Sequence, residues 1–134
     1  MREIKFRAYF KMDGNTYEVL AIDFSKDAAT LYDAKKEADF TTSFKDIELM
    51  QYTGYRDKNG VGMYEGDVLV KVDDIYEDLY TVVDKYGCFH LIHNDMDDPL
   101  YLDEQSFYEA YYEVIGNVYE NEDDVIRRQI RRRK

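Results

Sequence analysis

Cysteine, proline and histidine are scarce in this chain, with one, one and two copies among 134 residues. The lone Cys88 cannot close an internal disulfide, which fits a reducing compartment and makes the cytoplasm the expected location. With two histidines and no serine set in a strand-to-helix elbow, a Ser-His-Asp arrangement has no support. No uncharged apolar stretch reaches the roughly 18 residues that cross a bilayer, so no membrane association is expected. Nor does a charged-then-apolar leader open the chain, because Met1-Arg2-Glu3-Ile4-Lys5 runs straight into alternation. Internal repeats and low-complexity linkers are missing too.

What is present is enough to fold. Hydrophobic residues make up 45% of the chain, with seven Phe and fourteen Tyr. That suffices for a core of ordinary size in one domain or two small fused subdomains. The net charge is −11, but six of the 18 basic residues fall between Arg127 and Lys134. The remaining body sets 12 basic against 29 acidic residues, a charge of −17. Such a body repels nucleic acid and anionic lipid at long range. The ordinary reading of this acidity is solubility; the functional one is a decoy imitating the charge of DNA.

Alternation dominates the first quarter. Ile4, Phe6, Ala8 and Phe10 fall on one face, with Glu3, Lys5, Arg7 and Lys11 on the other, as a half-buried strand requires. After the turn residues Asp13-Gly14-Asn15, a second strand over Tyr17–Phe24 groups Leu20, Ile22 and Phe24, which predicts a β-hairpin. Residues 25–40 read two ways. Ala28, Leu31, Tyr32, Ala34, Lys35 and Ala38 could mark a helix, while Thr30-Leu31-Tyr32 and Phe40-Thr41-Thr42 favour two strands about a polar turn. Ser43-Phe44-Lys45-Asp46 has capping-box spacing and predicts one helical turn before Ile47.

Beyond residue 50 the pattern is short strands between turn signals. Asp57-Lys58-Asn59-Gly60 is a turn whose Asn-Gly pair tolerates positive φ. Strands are expected at Val68–Val72, Tyr80–Asp84, Cys88–His93 and Tyr112–Tyr119. An acidic loop at 73–78, a turn at 85–87 and a polar loop carrying Pro99 separate them, with a helical turn at Ser106–Ala110. Short strands at this spacing over about 70 residues suggest a small barrel. The tail predicts a helix capped by Asn121, acidic in its first turn and basic in its last, as the helix dipole favours.

Three blocks in the middle of the chain, Met50-Gln51-Tyr52-Thr53-Gly54, Asp57-Lys58-Asn59-Gly60 and Tyr64-Glu65-Gly66-Asp67-Val68, resemble the signature of the YopX family. The opening Arg2–Ala8 and the closing Val114–Asn121 look like that family's two ends, so the resemblance spans nearly the full chain. It implies an origin in bacterial phages or prophages, and supports strands at 25–43. It supplies no reaction and no catalytic residues. Read as architecture, Tyr52 and Tyr64 can pack across a turn while Gly54, Gly60 and Gly66 allow sharp reversals.

Candidate chemical sites are weak. Gly60-Val61-Gly62-Met63-Tyr64-Glu65-Gly66 has the wrong glycine spacing for a dinucleotide fingerprint and precedes a strand. A calcium loop begun at Asp57 places Val61 and Val68 where two ligands should be. Cys88, His90 and His93, with Asp95, Asp97 and Asp98, form the best metal cluster, yet strand alternation turns His93 away from the other two. Surface histidines are the ordinary alternative, and Cys88 reads as an inert core thiol.

The basic side chains Arg127, Arg128, Arg131, Arg132, Arg133 and Lys134 form a possible interaction tail, for phosphates or for an acidic subunit surface. Tyr108, Tyr111 and Tyr112 hint at an interface.

The expected fold is mainly β. It comprises an N-terminal hairpin subdomain (1–49), an SH3-like barrel (50–120) with structural turn residues Gly54, Asn59, Gly60 and Gly66, and a C-terminal basic helix (121–134). No cofactor, metal or enzymatic activity is expected. The expected function is a protein-interaction module that forms a homo-oligomer or binds a phage or host protein in the bacterial cytoplasm. The alternative is a nucleic-acid-related role, as a tail-mediated binder or an acidic mimic.

Overall fold

A computed structural model describes residues 3–71, 79–85, 87–93, 99–101 and 112–120. The fold is mainly β, as expected. Its strands are β1 (Phe6–Phe10), β2 (Asn15–Asp23), β3 (Ala28–Asp33), β4 (Ala38–Ser43), β5 (Ile47–Arg56), β6 (Gly62–Tyr64), β7 (Asp67–Lys71), β8 (Leu79–Lys85), β9 (Cys88–His93), β10 (Pro99–Tyr101) and β11 (Tyr112–Asn117). They make two antiparallel sheets, ordered β4-β3-β2-β1-β5-β6 and β10-β9-β8-β7-β11.

The first sheet grows by hairpins from β1 to β4, so the strand reading of residues 28–43 holds. The chain then returns through a 3-10 helix at Phe44–Asp46, where the Ser43 hydroxyl accepts from Lys45 N–H at 3.4 Å. β5 comes back beside β1, with Ala8 opposite Leu49 and Phe10 opposite Ile47. The sheet is strongly coiled. Two strands separate β1 from β4, a distance of about 14 Å in a flat sheet, yet the Phe10 and Phe40 ring centroids lie 5.2 Å apart. A bulge between Val19 and Ala21 helps β2 bend. Ala8, Ala29, Leu31 and Ile47 are buried inside the curl, beneath Phe10, Tyr17, Phe40 and Phe44.

That bulge overturns part of the expected β2 face. An extra residue reverses the alternation beyond it, so Tyr17 and Val19 pack inward while Leu20 is 51% exposed. Phe24 and Ile4, expected on inner faces, lie just outside their strands and are both 77% exposed.

In the second sheet β7 is buried on both faces. Leu69 joins Met63, Val82, Leu91 and Tyr112 on one side, while Val68, Val70 and Leu79 cluster on the other. An SH3-like barrel over residues 50–120 is not what these strands make. β5 runs across the expected boundary at residue 50 and belongs to the first sheet, with β6 beside it. β7 to β11 form a separate sheet with β10 and β11 at opposite ends, and among the described residues no pairing joins them. The physical reason is the two-residue link Glu65-Gly66, which hands the chain from one sheet to the other.

Two smaller expectations also change. Pro99 opens an edge strand rather than lying in a loop, and an edge tolerates its missing N–H. Gly60 alone adopts positive φ in its turn, at 79°, and Asn59 does not. The acidic loop at 73–78, the helical turn at 106–110 and the C-terminal helix at 121–134 fall outside the described residues.

Candidate functional site: the inter-sheet clasp

The three central blocks converge where the sheets meet. β5 leaves regular pairing first. Tyr52 stands opposite Tyr64 and Arg56 opposite Gly62, so three residues of β5 face one residue of β6. Gly54, at φ 90°, sits in this bulge rather than in a turn. The buried Thr53 hydroxyl donates to Met63 O at 2.8 Å and accepts from Tyr55 N–H at 3.1 Å. Tyr52 and Tyr64 pack as expected, with centroids 5.4 Å apart.

Asp57 is 3% exposed and ends β5 with its carboxylate turned inward. Oδ1 accepts from Asn59 N–H at 2.8 Å and from Val61 N–H at 2.9 Å, which shapes the turn. Oδ2 accepts from Val114 N–H of β11 at 3.0 Å. Lys58 N–H also donates to Tyr112 O at 3.0 Å. One carboxylate thereby closes its own turn and fixes that turn to the second sheet.

Ten residues on, Asp67 repeats the device with a charged partner. It is fully buried, and Oδ2 accepts from Tyr64 N–H at 2.8 Å. Oδ1 pairs with the guanidinium of Arg7, which reaches across from β1. Arg7 also lies 4.5 Å from the Tyr64 ring centroid and 3.4 Å from Met50 Sδ. Burial pushes the Asp67 carboxyl up to about 6, against the opposing pull of Arg7 and the Tyr64 N–H.

Gly66 lies between, at φ 88°. Its N–H donates to Val82 O at 2.7 Å and its carbonyl accepts from Val118 N–H at 2.9 Å. A Cβ there would meet Tyr119 at 3.4 Å and Met50 at 3.5 Å. Glu65 binds back to β5, its N–H donating to Gln51 O at 2.9 Å. Beyond β11, Tyr119 stacks on Tyr9 of β1 at 5.7 Å. The arrangement holds two sheets in one relative position.

Alternation alone misses Arg7. It stands among the charges on the polar face of β1, but that face lies beneath the motif. Asp67 carried the available signal, because an acid opening the run Val68-Leu69-Val70 needs a buried partner.

The other candidates scatter. Cys88 is exposed rather than a core thiol. His90 is buried rather than a surface histidine, with Nδ1 3.0 Å from Cys88 O. The side chains of His93, Asp95, Asp97 and Asp98 lie outside the described part. Among the described residues no group of three or more His, Cys, Asp or Glu could hold a metal ion. Tyr112, expected at an interface, is buried in the core with its ring 5.3 Å from Tyr80; Tyr108 and Tyr111 are outside the described residues. So is the whole basic tail, Arg127 to Lys134. No described helix is long and apolar enough to cross a membrane.

A family described as "YopX protein" matches residues 5–124. Among solved structures the chain is similar to protein EF1440 from Enterococcus faecalis, with 26% identity and a TM-score of 0.66. That match covers 93% of this chain and 99% of the other. No curated protein matches.

Proposed function

The chain belongs to the YopX family, and from that membership we propose a non-enzymatic, phage- or prophage-derived accessory protein acting by protein contacts in the bacterial cytoplasm. The observation that carries this reading is where the motif's polar groups are spent. Asp57, Thr53 and Asp67 direct their oxygens at backbone or at Arg7, so the motif acts as a joint between two sheets. Large apolar side chains stand elsewhere, on turns of the first sheet: Met12 is 79% exposed and Phe24 is 77% exposed. The order β4-β3-β2-β1-β5, with a 3-10 helix leading into β5, is also that of a small SH3-like barrel. We place that likeness over residues 6–56, a fold-level analogy favouring a binding module without naming a ligand.

Self-association is the contact we favour, with the basic tail of one subunit on the acidic body of another. Charge attraction of this kind is screened by salt. Light scattering should therefore give a larger mass at low salt for the full chain than for a chain ending at residue 126. Equal masses would overturn the tail contact. A gel shift of duplex DNA that fades as salt rises would favour the nucleic-acid alternative instead.

A further inference from the structure

An edge strand offers a row of unpaired N–H and C=O groups to any strand that comes alongside. Among the described residues, three of the four sheet edges are blunted. β6 has three residues, and β10 has three described residues, with Pro99 among them. β11 is longer, but Asp57 and Lys58 take up its outer side through Val114 N–H and Tyr112 O. β4 differs from all three. It pairs with β3 along six residues, carries neither proline nor basic residue, and has Asp39 as its only charge. Among the described residues, no backbone hydrogen bond reaches its far side.

We propose that β4 is a self-association edge, where a second copy of this chain adds its own β4 antiparallel about a two-fold axis at Thr41. The inference rests on the reading of the protein as a self-associating module and assigns that activity a surface. Its support is that the strand complements itself. In this register Thr41 faces Thr41, Phe40 faces Thr42 and Asp39 faces Ser43. Residues opposite one another share a face in antiparallel pairs, so the aromatic inner faces of the two copies run on continuously. Each carboxylate meets a hydroxyl instead of its own copy. The hydroxyl contact between Thr30 and Thr41, at 3.0 Å, extends across the axis into a four-threonine ladder.

Salt distinguishes this contact from the tail contact. Each copy carries −11, so long-range repulsion opposes an edge whose only charge is Asp39, and added salt strengthens it. A tail-to-body contact weakens under the same change.

The test uses the full chain carrying Cys88→Ser, which removes the exposed native thiol. Opposed Cβ atoms in such a pair lie about 5 Å apart, within reach of a disulfide once the strands adjust slightly. Mild oxidation of Thr41→Cys should give a covalent dimer at least tenfold faster than oxidation of Asp39→Cys, whose partner is Ser43. In light scattering at about 0.5 M salt, Thr41→Lys should halve the mass while leaving the far-ultraviolet circular dichroism unchanged. Deleting residues 127–134 should leave the high-salt mass intact. Equal cross-linking at positions 39 and 41, or monomer mass at every salt concentration, would overturn the proposal. So would a mass that drops on tail deletion but not in Thr41→Lys, and that outcome would leave the tail contact standing.

Discussion

Two turns bracket β6, and each buries an aspartate, but they neutralise it by different means. Asp57 is held by three backbone N–H groups, from Asn59, Val61 and Val114. Asp67 has one backbone donor, Tyr64, and otherwise depends on the side chain of Arg7. Backbone donors survive every substitution of the residue that bears them except proline. A guanidinium does not. The first turn is therefore robust to changes around it, while the second has a single removable partner on the opposite sheet.

The largest expected effect comes from removing that partner. Arg7→Met leaves the Asp67 carboxylate buried without a cation, and should cost about 3–5 kcal/mol in urea unfolding at neutral pH. Its deficit should shrink in acid, where Asp67 is protonated. Asp57→Ala comes next, at roughly 2–4 kcal/mol, because three N–H groups lose their acceptor. Asp57→Asn should recover part of that loss through the retained carbonyl oxygen. Glycines sharpen the contrast between the turns. Both need positive φ, but a Cβ at Gly60 meets nothing within 4 Å, whereas one at Gly66 meets Tyr119 and Met50. Gly60→Ala should cost about 1 kcal/mol, and Gly66→Ala about twice that.

The smallest effect at neutral pH belongs to Asp67→Asn, within about 1 kcal/mol, since removing a buried charge offsets the lost pairing. Its pH dependence has a definite sign. The folded carboxyl titrates near 6, above its ordinary 3.8. Folding then binds the proton more tightly than the unfolded chain does, so this contribution is complete below 3.8 and lost as pH rises through 6. Urea midpoints should shift in favour of the Asn variant between pH 4 and pH 7.

Alternation made much of the first sheet legible. Phe6, Ala8 and Phe10, the hairpin and the helical turn after Ser43 follow from local pattern and capping, whereas local pattern left the strands at 28–43 open against a helix. Local pattern could not reveal where a bulge reverses a face, so Leu20 was assigned to the wrong side of β2. It could not say which sheet β5 and β6 join, because pairing across distant sequence is set by global packing. The clasp was half legible. The turn at 57–60 and the contact between Tyr52 and Tyr64 come from residue type and spacing. Arg7 on a polar face gives no local sign that a second sheet covers it.

If the segment from Met50 to Val68 joins the two sheets, Arg7 and Asp67 must be energetically coupled, which a double-mutant cycle between them measures. Unfolding free energies of Arg7→Met, Asp67→Asn and the double variant at pH 7 should give a coupling of roughly 2–4 kcal/mol. A coupling within about 0.5 kcal/mol of zero would mean that the pair does not join the sheets.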